Sequence, residues 1–175
     1  ANAILDGTDA VMLSDETAVG SFPVEAVEVL ARIAMATEPF MDTSAYREEP
    51  LHELLPAMGA AISHAACDLA QDLSAAAIVT FSASGATARL IARYRPPFPV
   101  VGLTASLLAC RQLHLSWGVL PAHFPTTGDS DQILDQACQW VERQGLAKPG
   151  DRLILTAGLP LGVAGTTNLL KVVDL

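Results

Sequence analysis

The chain has 175 residues, 51% of them hydrophobic and 17% charged, a balance that excludes the disordered and fibrous classes and fits one domain with a small appendage. Its net charge of -9, with only ten Lys and Arg, excludes sequence-independent binding to nucleic acid, which needs a basic face. Every apolar run is cut by a charge, Gly or Pro well before the ~20 residues of a membrane span, so neither nucleic acid nor a membrane is an expected partner.

Ala1 to Asp6 reads as the end of a helix closed at Gly7, which accepts the left-handed conformation of a helix stop. Ala1 carries no charged leader, so no secretory signal is expected. Asp9 to Ser14 is a short apolar run between turn residues and predicts a strand buried on both faces. A loop over Asp15 to Phe22 precedes a helix from Pro23 to about Glu38, with Val24, Val27, Leu30, Ala31 and Ala34 on one face. Helix, strand, loop, helix is the grammar of a (β/α) barrel.

Pro39, Pro50 and Pro56 punctuate a polar stretch, which divides the chain into a barrel-like segment 1–40, a linker 41–56 and a domain 57–175. Alternation resumes in that domain. Helices are predicted at Ala57–Asp72, Ala86–Tyr94, Leu107–Leu115 and Ser130–Gln144, and strands at Ala76–Ser82, Pro99–Thr104, Gly118–Phe124, Arg152–Ala157 and Asn168–Val173. Strands separated by helices imply an α/β fold with a mainly parallel, mixed sheet flanked by helices. Only a loop joins the last two strands, so that pair is predicted to be antiparallel.

Three clusters carry candidate chemistry. Ser14-Asp15-Glu16-Thr17 follows the presumed barrel strand and places hydroxyls beside carboxylates, suited to a hydrogen bond or a proton relay but equally to a turn cap. Ser82-Ala83-Ser84-Gly85-Ala86-Thr87 joins a strand end to a helix start, which suits a phosphate or a simple helix cap. The Gly-rich loop Ala157 to Asn168 is expected beside that turn, beyond the carboxyl ends of the strands, or else is a plain connection. His52, His64, His114 and His123 lack metal-ligand spacing, and no metal ligand is assigned. Cys67, Cys110 and Cys138 read as buried thiols in a reducing cytosol, Trp117 and Trp140 as core or interface aromatics, and Arg93-Tyr94-Arg95-Pro96 as a helix end with favourable cations.

Residues 1–18, from Ala1-Asn2-Ala3 to Glu16-Thr17-Ala18, together with Pro23-Val24-Glu25-Ala26-Val27, closely resemble the pyruvate kinase signature near the end of the catalytic barrel. The resemblance continues through Arg93-Tyr94-Arg95-Pro96, Trp117-Gly118-Val119, Lys148-Pro149-Gly150-Asp151 and Gly165-Thr166-Thr167-Asn168. It implies the last strand-helix unit of a TIM barrel followed by the C-terminal α/β domain of a cytoplasmic, commonly homotetrameric enzyme of glycolysis. That enzyme transfers a phosphoryl group from phosphoenolpyruvate to ADP with magnesium and usually potassium. Thr17 then corresponds to the active-site threonine beside the substrate, implicated in protonating the enolate, with Asp15 where many members have Gly.

By the same resemblance Ser82, Ser84, Gly85, Ala86 and Thr87 form a phosphate loop for a sugar-phosphate or nucleotide effector. Ala86 stands where fructose-bisphosphate-responsive members often have Arg, and Leu159-Pro160-Leu161 replaces their Trp and Arg clamp, which implies a monophosphate effector or none. The family's metal ligands, its phosphoryl-supporting lysine and its lid domain come from earlier sequence, so this chain alone is expected to lack kinase activity. The alternative is a stand-alone effector-binding or oligomerisation module.

Overall fold

A computed structural model describes residues 1–43, 46, 57–124, 129–159 and 166–175, and the chain divides into two compact units, Ala1–Ser44 and Ala45–Leu175. Most of the expected linker 41–56 therefore lies outside the described residues.

In the first unit a single helical turn, α1 (Asn2–Leu5), ends at Gly7 as expected, with the Gly7 amide donating to the Ile4 carbonyl at 3.0 Å. The expected strand over Asp9–Ser14 is not formed. A strand needs a neighbour to satisfy its backbone groups, and among the described residues of this unit there is none to pair with. The loop over Asp15–Phe22 contains a further helical turn, α2 (Asp15–Ala18), before α3 (Pro23–Thr37) and a 3-10 turn at Glu38–Phe40. Pro23 opens α3 at a position where a missing N–H costs nothing. No residue of α3 is buried, and Ile4 is the one buried side chain among residues 1–43.

The second unit is built on five strands: β1 (Ala77–Phe81), β2 (Val100–Thr104), β3 (Val119–His123), β4 (Arg152–Gly158) and β5 (Thr167–Asp174). Their order is β3-β2-β1-β4-β5, parallel except for β5, which runs antiparallel to β4. Register is set by the apolar runs: Ile78 faces Val100 on one side and Ile154 on the other. β1 and β2 are buried throughout, as strands covered on both faces must be.

The helices are α4 (Ala57–Asp72), α5 (Ala86–Ala92), α6 (Leu107–Leu113) and α7 (Ser130–Arg143). One core layer joins Ala66 and Ala70 of α4, Ala88 and Ile91 of α5 and Leu113 of α6 to Ile78, Val100 and Ile154. The other packs Ile133, Leu134, Ala137 and Val141 of α7 on Val79, Val101 and Leu155. Each fully buried Leu, Ile or Val contributes roughly 1.5–3 kcal/mol relative to exposure. Two caps start the helices: Ser106 Oγ accepts from Ala109 N at 3.2 Å, and Asp129 Oδ1 accepts from Ser130 N at 2.8 Å. α5 stops at Ala92 rather than Tyr94, because Arg95 takes a φ of 47° and Pro96 follows it.

Candidate functional site

The chain runs from β1 to β2 to β3 on one side of the sheet and crosses to β4 on the other, so the order reverses between β1 and β4. Outside the carboxyl ends of those two strands lies the crevice where open α/β sheets bind ligands. The turn Ser82–Thr87 leaves β1 at this point, and the segment around Leu159 leaves β4. The sequence reading set them side by side, and the fold joins them: Thr87 Oγ1 and Thr167 Oγ1, both buried, share a hydrogen bond of 2.7 Å. Residues 160–165 of the loop lie outside the described residues.

The turn is held from three directions. Ser82 N donates to Leu103 O at 3.1 Å, and the buried Thr104 hydroxyl donates to Ala83 O at 3.3 Å while accepting from Ser106 N at 3.1 Å. Gly85 sits at φ 76°, and a Cβ there would stand 2.9 Å from Leu113, so both the backbone conformation and the close packing require glycine. On the far side, Asn168 clamps Leu159, its Oδ1 accepting from Leu159 N at 2.8 Å and its Nδ2 donating to Leu159 O at 3.0 Å. Thr104 was not among the sequence candidates. A Thr at the last position of a strand, level with the Ser-rich turn, was the available signal.

Side-chain capping of α5 does not occur: Gly85 is its N-cap and no side-chain oxygen accepts there. Among the described residues, the Ser82 and Ser84 hydroxyls make no hydrogen bond, Ser84 and Ala86 are exposed, and Thr87 is occupied by Thr167. No Asp or Glu lies within Ser82–Thr87. A cation stands next to the turn, because the Arg89 guanidinium of α5 lies 3.1 Å from where a Gly85 Cβ would be. The local chemistry is two unused hydroxyls beside a positive charge, which suits an oxyanion.

In the first unit, Ser14 is the N-cap of α2 and its amide donates to Glu16 Oε2 at 3.1 Å. Thr17 is exposed, and its hydroxyl donates to the Ser14 carbonyl at 3.2 Å. Asp15 adopts helical backbone without a positive φ, so this turn does not require the glycine that many family members carry there. Among the described residues no group of three or more His, Cys, Asp or Glu is placed to hold a metal ion. His64 Nδ1 instead approaches Asp68 at 3.2 Å, His123 Nε2 contacts Ala105 O at 3.2 Å, and His52 lies outside the described residues. Also among the described residues, no helix is long and apolar enough to cross a membrane.

Comparison with known proteins matches both units. The family described as "Pyruvate kinase, alpha/beta domain" matches residues 60–173, and "Pyruvate kinase, barrel domain" matches residues 1–27. The pyruvate kinase of Geobacillus stearothermophilus is 43% identical over 98% of this chain, and that of Clostridium acetobutylicum 40% identical over 98%. The chain spans 29% and 36% of the length of those two relatives. A Cryptosporidium parvum pyruvate kinase structure superposes with a TM-score of 0.84 at 34% identity, over 98% of this chain and 34% of that one. Another, in complex with ADP, gives 0.81 at 34% identity, over 98% and 35%. With its α/β unit matched over residues 60–173, the chain belongs to the pyruvate kinase family.

Proposed function

We propose that this chain serves a pyruvate kinase that transfers the phosphoryl group of phosphoenolpyruvate to ADP in the cytoplasm, and that it supplies the end of the barrel together with an effector-binding α/β unit. Thr17 is the one catalytic residue assigned to it, as the hydroxyl beside the enolate, and magnesium and potassium are assigned to ligands outside it. The α/β unit binds the phosphate of a sugar monophosphate or nucleotide monophosphate through Ser82, Ser84, Gly85, Ala86 and Thr87. Assembly as a homo-oligomer belongs to the same reading.

One observation carries the effector reading: the Ser82–Thr87 turn and the Leu159–Asn168 clamp meet at the point where strand order reverses, joined by the Thr87–Thr167 bond. Calorimetric titration of the chain with ribose 5-phosphate, glucose 6-phosphate, AMP and fructose 1,6-bisphosphate tests it. A monophosphate is expected to bind, and Ser84→Ala, an exposed change that leaves the fold intact, is expected to weaken it severalfold, with Thr87→Ala weakening it further. Heat from none of the four ligands, or binding that Ser84→Ala leaves untouched, removes the effector assignment. No pyruvate is expected from phosphoenolpyruvate and ADP with this chain alone; turnover would overturn the assignment of the transfer machinery to residues outside it.

A further inference from the structure

Among the described residues three fully buried hydroxyls, those of Ser63, Thr80 and Thr156, have no hydrogen-bond partner in the protein. The other buried threonines are bonded: Thr104 to Ala83 and Ser106, and Thr87 to Thr167. A hydroxyl taken out of solvent without a partner is destabilising, and Val in a strand or Ala in a helix would occupy the same place without that loss.

The three hydroxyls belong to one place. Thr80 and Thr156 are partners in the parallel register of β1 and β4, so their side chains leave the sheet on the same face. Two residues earlier on that face, Ile78 and Ile154 share a core layer with Ala66 and Ala70 of α4. A short turn after Asp72 joins α4 to β1, so helix and strand run in opposite directions and the helical turn ahead of Ala66 lies toward the carboxyl ends of the strands. Ser63 is on that turn, in the same buried stripe as Ala60, Ala66, Cys67 and Ala70, and so faces the level of Thr80 and Thr156. It does not bond the carbonyl four residues back, the usual recourse of a helical serine.

We propose that Ser63, Thr80 and Thr156 hold one ordered water between α4 and the seam of β1 and β4. Three hydroxyls match the roughly three hydrogen bonds that a buried water makes, and each hydroxyl both donates and accepts, so the two protons and the lone pairs of the water all find partners. The site lies one step below the Ser82–Thr87 turn: Ser82 continues β1 on the same face as Thr80, its amide donating to Leu103 O at 3.1 Å. The water fixes the strand end from which that turn departs, whether or not the turn binds a phosphate.

Urea unfolding of the full chain, followed by the fluorescence of Trp117 and Trp140, both in the second unit, separates a bound water from dry hydroxyls by the sign of the effect. Ser63→Ala, Thr80→Val and Thr156→Val are each expected to raise the unfolding equilibrium constant by about twofold to tenfold, the range of one hydrogen bond, because the water loses a partner. The triple variant removes the water together with its ligands and should fall short of the product of the three single effects. Dry hydroxyls would do the reverse, each substitution lowering the constant. Oxygen-17 relaxation dispersion of the solvent counts long-lived waters without interference from exchanging hydroxyl protons, and the count should drop by one in the triple variant. Single variants as stable as the wild type or more so, or an unchanged count of waters, would overturn the proposal. If the triple variant does not fold, Thr80→Val with Thr156→Val, which keeps the shape of both side chains, takes its place in both measurements.

Discussion

α3 and α7 are amphipathic helices of nearly equal length, 15 and 14 residues, yet α7 buries Ile133, Leu134, Ala137 and Val141 whereas α3 buries none of its residues. The difference lies in what faces them. α7 lies on the sheet layer of Val79, Val101 and Leu155, while in the first unit Leu13, Phe22, Ala26, Val29, Leu30 and Ile33 line an open groove. Periodicity makes a helix amphipathic, but only a complementary surface turns that stripe into a core. The same contrast separates β1, paired on both sides and buried, from Asp9–Ser14, of similar apolar character and unpaired.

The sharpest way to break this comparison is limited proteolysis. Residues 1–44 should be trimmed while 57–175 persists as a protected fragment; loss of the α/β unit first would reverse the ranking. Next in size is a pair of core and surface truncations. Ile154→Ala, fully buried on β4 between β1 and β5, should cost about 2–5 kcal/mol in urea unfolding, and Val27→Ala, 52% exposed, less than about 0.5 kcal/mol. Comparable losses would mean that the first unit has a core of its own.

Within the second unit, Gly85→Ala should destabilise by about 2–4 kcal/mol through the left-handed backbone and the collision with Leu113. Thr87→Val should cost about 1–2 kcal/mol by leaving the Thr167 hydroxyl buried without its partner, and Thr87→Val with Thr167→Val should recover most of it. A double variant no better than the single would show that the pair contributes nothing as a pair. The smallest effect is electrostatic. Burial pushes the Tyr94 phenol above its ordinary pKa of 10.0, so in the unfolded chain it loses its proton first. That contribution is complete below pH 10 and declines as pH rises from 10 toward the folded value; urea midpoints measured across this range should fall less steeply in Tyr94→Phe. Burial raises the Cys138 thiol in the same direction, with its decline beginning above 9.0.

Much of the α/β unit was legible because its signals are local. Apolar runs of strand length between turn residues gave all five strands within two residues at either end, and the single loop before Thr167 gave the antiparallel pairing. The Ser82–Thr87 turn was legible as a place, from its residue types. Which of its hydroxyls are engaged was not, since Thr87 is bonded by a residue 80 positions away. The Asp9–Ser14 strand failed for the complementary reason: its composition is that of a buried strand, but pairing depends on residues elsewhere.

Sequence alone determined the order of elements in the α/β unit, the family, and the small hydroxyl-rich character of the turn, because propensity, periodicity and motif are written in contiguous residues. Tertiary structure alone decided that β1 and β4 are neighbours at the reversal of strand order, that Thr104 and Asn168 brace the candidate site, and that Arg95 is a buried cation between Tyr46 and Trp117. Each of these depends on contacts between segments nine or more residues apart or on the way the chain crosses its own sheet, and neither leaves a mark on the local pattern of residues.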